Sequence, residues 1–341
     1  MAIIPAHPGF CVRRLNPGAE FRRRQIHEVN HSESYFNNTR QIHKGTYTMI
    51  TKKINNFDLQ QIAESGQCFR MNCLEPGRYK AVSGGRYVEV VQEGQTFHFH
   101  CPDEDFPFWS RYFDLETDYG AIISSVRKRD VYLQEAACAG SGIRILNQDV
   151  WEMIITFIIS QQRTIPKIRE AVENLSRLYG EERRALSACG ETVLYHTFPT
   201  PSQLKKASLE DLQSLKLGYR AKYIHRICRD AVDKTLDLSL LSAMDYKKAM
   251  EYLIGFYGIG TKVANCICLF GLHHVEAFPV DTWIQQILMS HYYRKKYDSA
   301  PKNRLYEMMV QDNFGKYKGC AGVMQQYIFY YERTVLNGRS S

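Results

Sequence analysis

Between residues 78 and 101 the chain alternates polar and apolar side chains, and after residue 118 that alternation stops. The stretch RYKAVSGGRYVEVVQEGQTFHFHC is rich in Tyr, Val and Phe, and Gly84-Gly85 and Glu93-Gly94 supply turns, so it reads as antiparallel strands. Ahead of it, TYTMITKKINNFDLQQIAESG begins with alternation and ends in a short amphipathic run. Beyond Phe113-Asp114-Leu115 the texture is helical. LNQDVWEMIITFIISQQ has a cap followed by a strongly apolar helix, and IPKIREAVENLSRLYG opens near Pro166 and closes on Gly180. Further helices are expected over 208–216, 220–234, 245–255, 261–272, 282–293, 302–311 and 320–336, with no repeating unit. The expected fold class is α+β: a small antiparallel β-sheet domain over 46–118, then an all-α domain over 119–336 and a tail at 337–341.

A chain of 341 residues suits two such domains. No apolar run approaches the roughly 18 residues of a membrane span. The N-terminal apolar run is too short for a secretion signal and its basic residues follow it, so a cytoplasmic location is expected, nucleoid-associated in a bacterium. The net charge of +8 favours an anionic partner. Residues 1–45 hold seven Lys/Arg against three Asp/Glu, half of that excess, and are expected to form a disordered extension, with Met49 as an alternative start. Ten cysteines are scattered without a CxxC pair, which argues against zinc or iron–sulfur ligation and for reduced, mostly buried thiols. His273 and His274 lack a carboxylate at ligand spacing and read as solvated loop residues.

The most informative stretch is LIGFYGIGTKVANCICLFGLHHVEAFPVDTWIQQIL. Two short helices flank Gly258-Ile259-Gly260, and glycine there permits positive φ and close backbone approach. The helix starting near Thr261 directs free N–H groups out of the turn, a natural seat for a phosphate. Lys262 follows the second glycine by two residues, and Asp281 follows Lys262 by nineteen. Asp281 is locally an ideal N-cap for TWIQQIL.

Taken together, GIGTKVANC, FPVDTW, SGQCFR, FIISQQRTIPKI, LGYRAKYI and AGVMQQYIF resemble, in order over about residues 46–335, the helix-hairpin-helix (HhH-GPD) DNA glycosylases. The similarity is greatest to their 8-oxoguanine DNA glycosylase/AP lyase branch, in a bacterial-type variant. That resemblance implies damaged double-stranded DNA as partner, a monomer, and removal of an oxidised purine followed by strand nicking. It implies that Lys262 attacks the sugar C1′ as the base departs, giving a Schiff base and then β-elimination. Its position at a helix N-terminus disfavours the ammonium form. Asp281 is implied to stabilise the oxocarbenium-like sugar and orient the lysine. A flipped base needs a pocket. The implied set is Gly66, whose carbonyl accepts from N7–H of 8-oxoguanine, Cys266 on one face of the base, and Gln325 and Phe329 as edge amide and stacking ring. Cys266 lies four residues after Lys262, on the same helix face.

On the strand-opening side, Gln162, beside Arg163 and Thr164, falls where the family has a gap-filling Asn. Lys167 falls where an Arg would contact the opposing cytosine. Tyr219 and Arg220 match the wedge and the second cytosine contact. Lys167 offers a point charge where Arg220 offers a fork, which leaves cytosine preference open. Tyr257 stands in place of the proline before GxG, and Trp283 in place of a phosphate-contacting His. Lys222, Arg226 and Arg229 continue a basic run. The resemblance requires no cofactor, and implies a structural monovalent cation at hairpin carbonyls around 255–260. Two competing readings are a glycosylase for an alkylated or deaminated base and a non-catalytic helix-hairpin-helix DNA-binding module. The four clustered cysteines usual in endonuclease III relatives are absent from the sequence.

Overall fold

The computed structural model of the protein describes residues 47–317 and 319–338; the extension expected over residues 1–45 lies outside them. Five strands make one antiparallel sheet. They are β1 (Tyr47–Lys53), β2 (Met71–Glu75), β3 (Arg78–Ser83), β4 (Arg86–Glu93) and β5 (Thr96–Pro102), in the order β1-β5-β4-β3-β2. The turns fall at the expected glycines: Gly84, Gly85 and Gly94 all have positive φ. Period two puts Phe97, Phe99 and Cys101 of β5 on one buried face. They pack with Leu59 and Ile62 of α1 (Leu59–Glu64) and Trp109 of α2 (Phe106–Tyr112).

The other face of the sheet is covered by an element absent from the sequence reading. β6 (Glu182–Leu186) and β7 (Thr192–His196) form a hairpin within the helical part of the chain. Its Ala185 and Tyr195 pack on Val82 and Tyr87. Tyr195 and Arg183 both donate to Gly85 O at 3.0 Å, and Ala188 N–H donates to Glu89 at 3.0 Å. Each strand has only five residues and buries one side chain, too little pattern to register as a strand.

The remainder is helical: α3 (Tyr119–Ser124), α4 (Val131–Ala139), α5 (Val150–Ile159), α6 (Ile165–Tyr179), α7 (Pro201–Leu204), α8 (Leu209–Ser214), α9 (Arg220–Val232), α10 (Leu238–Ser242), α11 (Tyr246–Ile254), α12 (Thr261–Phe270), α13 (Thr282–Ile287), α14 (Leu305–Phe314) and α15 (Ala321–Tyr330). α15 continues into a π-helical turn, Tyr331–Leu336. Aspartates at 118, 130, 149, 237 and 245 cap α3, α4, α5, α10 and α11 through their side-chain oxygens. α5 is buried from Trp151 to Ile159 and packs against α12, so the hydrophobic core surrounds the helix that follows the glycine turn.

Two polar side chains tie distant loops together. The Arg144 guanidinium is 3% exposed and donates to the carbonyls of Asn55, Asn56, Asp114 and Thr117. His273 is a correction to the sequence reading. Its ring is half-buried, bonds Ile145 O at 3.1 Å and stands 3.6 Å from Asp114 Oδ2, so it anchors its loop rather than facing solvent.

Glu152 is the costly member of the core. It is buried on α5, its Oε2 has no protein partner, and burial pushes its carboxyl up to about 8 against a partial offset from Arg70. The folded state therefore holds this proton more tightly than the unfolded chain. Its contribution is favourable below the ordinary pKa and is lost as pH rises from about 4.5 to about 8. Glu152→Gln removes that loss. In paired thermal melts the variant should gain on wild type between pH 5 and pH 9, by on the order of 2–4 kcal/mol. Equal pH slopes would show that Glu152 is not protonated in the fold.

Candidate active site

α11 ends at Ile254 and α12 begins at Thr261, with Gly260 as its N-cap and no side chain closing the first turn. The first N–H groups of α12 are therefore open, as a phosphate seat requires. Gly258 has φ +92, and a Cβ there would lie 2.7 Å from Tyr223 Cβ and Cδ2. Only glycine fits this crossing of the turn over α9. Tyr257 is 59% exposed, and its ring meets Tyr223 edge-on at 4.8 Å.

Lys262 sits in the first turn of α12, half-buried. Its Nζ is 3.4 Å from Ser160 Oγ and 5.5 Å from the centroid of the Phe157 ring. Cys266, one turn on, is 4% exposed; burial raises its thiol pKa, against lowering by Lys262, and Asp281 raises it further. The three side chains therefore share one electrostatic neighbourhood. Asp281 caps α13 as expected, accepting from Ile284 N–H at 2.9 Å. Among the described residues no ion pair within 4.0 Å ties Lys262 to Asp281, so the amine is not locked against the carboxylate. Asp281→Asn separates cap from charge. Asn caps about as well as Asp, so stability should change by less than about 0.5 kcal/mol. Strand cleavage at an abasic site should fall about 100-fold or more.

Gly66 has φ +78 immediately after α1. The turn is pinned through Gln67, whose amide donates to Arg144 O at 2.9 Å and accepts from Leu146 N–H at 2.8 Å. A Cβ on Gly66 would lie 3.2 Å from Phe329 Cε1, so the glycine and the ring of α15 are in contact. Gln325 is 4% exposed and accepts from the Gln326 amide at 2.9 Å. Phe69, three residues after Gly66, meets Phe157 edge-on at 6.2 Å, and Phe157 lies under Lys262. This aromatic pair joins the Gly66 turn to the lysine. Phe157 and Ser160 were not singled out in the sequence, although both lie within its FIISQQ stretch.

On the strand-opening side, Gln162 is exposed with φ +50 at the tip of the α5–α6 loop, and Lys167 is exposed in the first turn of α6. Tyr219 is 43% exposed at the start of α9. Arg220 departs from expectation. It is 7% exposed, and its fork turns inward to the carbonyls of Gln161, Gln162 and Leu217. Gln161 in turn donates to Gly258 O at 3.0 Å. In the basic run, Lys222 and Arg229 are exposed, and Arg226 pairs with Asp230 at 2.9 Å. Trp283 borders, with Thr282, Gln286 and Glu332, a concavity of about 530 Å³.

Among the described residues no group of three or more His, Cys, Asp or Glu is placed to hold a metal. Of the hairpin carbonyls, Phe256 O accepts from Ile259 N–H and Gly258 O from Gln161. Each of these oxygens keeps a second lone pair, and no step is derived through a cation.

Sheet, glycine hairpin, helix-initial lysine and capping aspartate define a helix-hairpin-helix base-excision protein. The family described as HhH-GPD superfamily base excision DNA repair protein matches residues 155–309, and the 8-oxoguanine DNA glycosylase N-terminal domain matches residues 49–154. A probable N-glycosylase/DNA lyase of Methanothermobacter thermautotrophicus is 32% identical over 65% of this chain and 71% of its own length. The N-glycosylase/DNA lyase of Saccharomyces cerevisiae is 35% identical over 52% of this chain, and the match spans 48% of the yeast protein. The 8-oxoguanine glycosylase/lyase of Clostridium acetobutylicum, solved with double-stranded DNA holding cytosine opposite 8-oxoG, superposes with TM-score 0.75. It is 33% identical, over 85% of this chain and 98% of that one. The chain belongs to the 8-oxoguanine DNA glycosylase/lyase family.

Proposed function

We propose that this chain is a bifunctional DNA glycosylase and AP lyase that excises 8-oxoguanine from duplex DNA and nicks the strand at the resulting site. The observation that carries the reading is the placement of Lys262 in the open first turn of α12, beside Cys266, a thiol that the charges of both Lys262 and Asp281 reach. The α12 N–H groups grip a phosphate beside the lesion. The flipped base enters between Cys266 and Phe329, and Gly66 O accepts from its N7–H, a hydrogen that guanine lacks. As the C1′–N9 bond breaks, its electron pair leaves with the base, which takes up a proton. Nζ of Lys262 bonds to C1′ and gives up its proton, while the Asp281 carboxylate faces the positive charge developing on the sugar. Opening of the sugar ring gives the Schiff base, and removal of a C2′ proton expels the 3′ phosphate.

The test is borohydride trapping on duplexes with 8-oxoguanine opposite each of the four bases. A covalent adduct formed on the lesion strand and absent from undamaged duplex supports the reading. Base release without an adduct would remove the lyase claim, and binding without base release would leave only a DNA-binding module. The inward fork of Arg220 and the point charge of Lys167 favour weak selection for cytosine, so rates across the four duplexes should lie within about tenfold.

A further inference from the structure

α1 belongs to the sheet domain and its last carbonyls precede the Gly66 turn. Two arginines from the helical part of the chain cap them. Arg169 of α6 donates to Ala63 O at 3.0 Å, and Arg333 donates through Nη1 to Glu64 O at 2.8 Å. Cations at a helix C-terminus are favoured by its partial negative charge. Arg169 stops there. Arg333 does not: its guanidinium also lies 6.0 Å from the Phe329 ring centroid, and Nη1 would be 3.7 Å from a Cβ on Gly66. It is 7% exposed and sits in the π-helical turn that follows α15, so the wider turn sets where its side chain lands.

We infer that Arg333 is a positioning residue of the base pocket: one guanidinium fixes the Gly66 turn and the Phe329 ring relative to each other, and so sets the site's recognition of the oxidised base. This rests on the glycosylase reading above. Gly66 and Phe329 come from opposite ends of the chain, and reading N7–H beside a stacked ring needs both held to a fraction of an ångström. A planar guanidinium can donate in its plane while packing its face near a ring. Among the described residues no hydrogen bond or ion pair joins Arg333 to Lys262 or Asp281, and a preformed abasic site has no base for the pocket to hold.

That difference is the test. Arg333→Met and Arg333→Lys are assayed in single turnover on 8-oxoguanine duplex and on a preformed abasic duplex. Arg333→Met should slow base excision about 10- to 100-fold, the loss expected for a buried charge-assisted hydrogen bond. Nicking and borohydride trapping at the abasic site should stay within about threefold. Arg333→Lys, which keeps a donor for Glu64 O, should recover part of the excision rate. Unchanged excision in both variants, or parallel loss on both substrates in both variants, overturns the inference. Wild-type protein inactive on both duplexes would overturn the glycosylase reading and the inference with it. Wild type active on the abasic duplex alone would overturn the lesion pocket.

Discussion

Lys262→Gln will abolish the borohydride adduct and slow excision of 8-oxoguanine by about a thousandfold or more, because the amide cannot add to C1′. Stability should hardly change. The lysine is half-buried, and its contacts with Ser160 Oγ, at 3.4 Å, and with the Cys266 thiol are weak hydrogen bonds. The variant should also keep its affinity for lesion duplex, since the open N–H groups of α12 and the Gly66 turn are untouched. Rapid-quench excision, gel-resolved trapping and a thermal melt on one preparation separate these effects. An excision rate within tenfold of wild type would mean that another group attacks the sugar.

Gly258→Ala will damage the fold and the site together. Its φ of +92 is foreign to alanine, and the new methyl would collide with Tyr223, which α9 holds in place. Strain and overpacking together should cost on the order of 2–5 kcal/mol. Displacing the turn should also weaken binding to undamaged duplex at low salt, where phosphate contacts dominate. Gly260→Ala is the contrast. Nothing lies within 4 Å of a Cβ there, and its backbone is extended, so the melt should be close to wild type. Any loss of binding then reports the methyl against the phosphate. If both variants melt alike, the Tyr223 crossing does not determine the turn.

The site was legible where chemistry fixes spacing. Lys262, Cys266 and Asp281 hang on one helix turn and one cap, and both are local facts of sequence. The sheet was legible because β3–β5 alternate cleanly between glycine turns. What stayed hidden were side chains whose partners are backbone carbonyls. Arg144 and Arg333 read as ordinary basic residues and Arg220 as a contact to the opposing base, yet each is buried on main-chain oxygens, most of them far away in the chain. His273 escaped for the same reason, bonding Ile145 O across 128 positions. The one available signal for Arg333 was its place four residues after Phe329. The β6–β7 hairpin was hidden because its worth lies in what it covers, not in its own pattern.

The hydrogen bond from Gln161 to Gly258 O, with Arg220 holding the Gln161 and Gln162 carbonyls, has a mechanical consequence. The loop that would fill the vacated space in the duplex is bolted to the turn that would hold the strand. Seating a phosphate there would therefore fix how far Gln162 could reach between bases. Such a protein would probe a helix at a preset depth, and a weakly stacked pair would yield where a sound one would not.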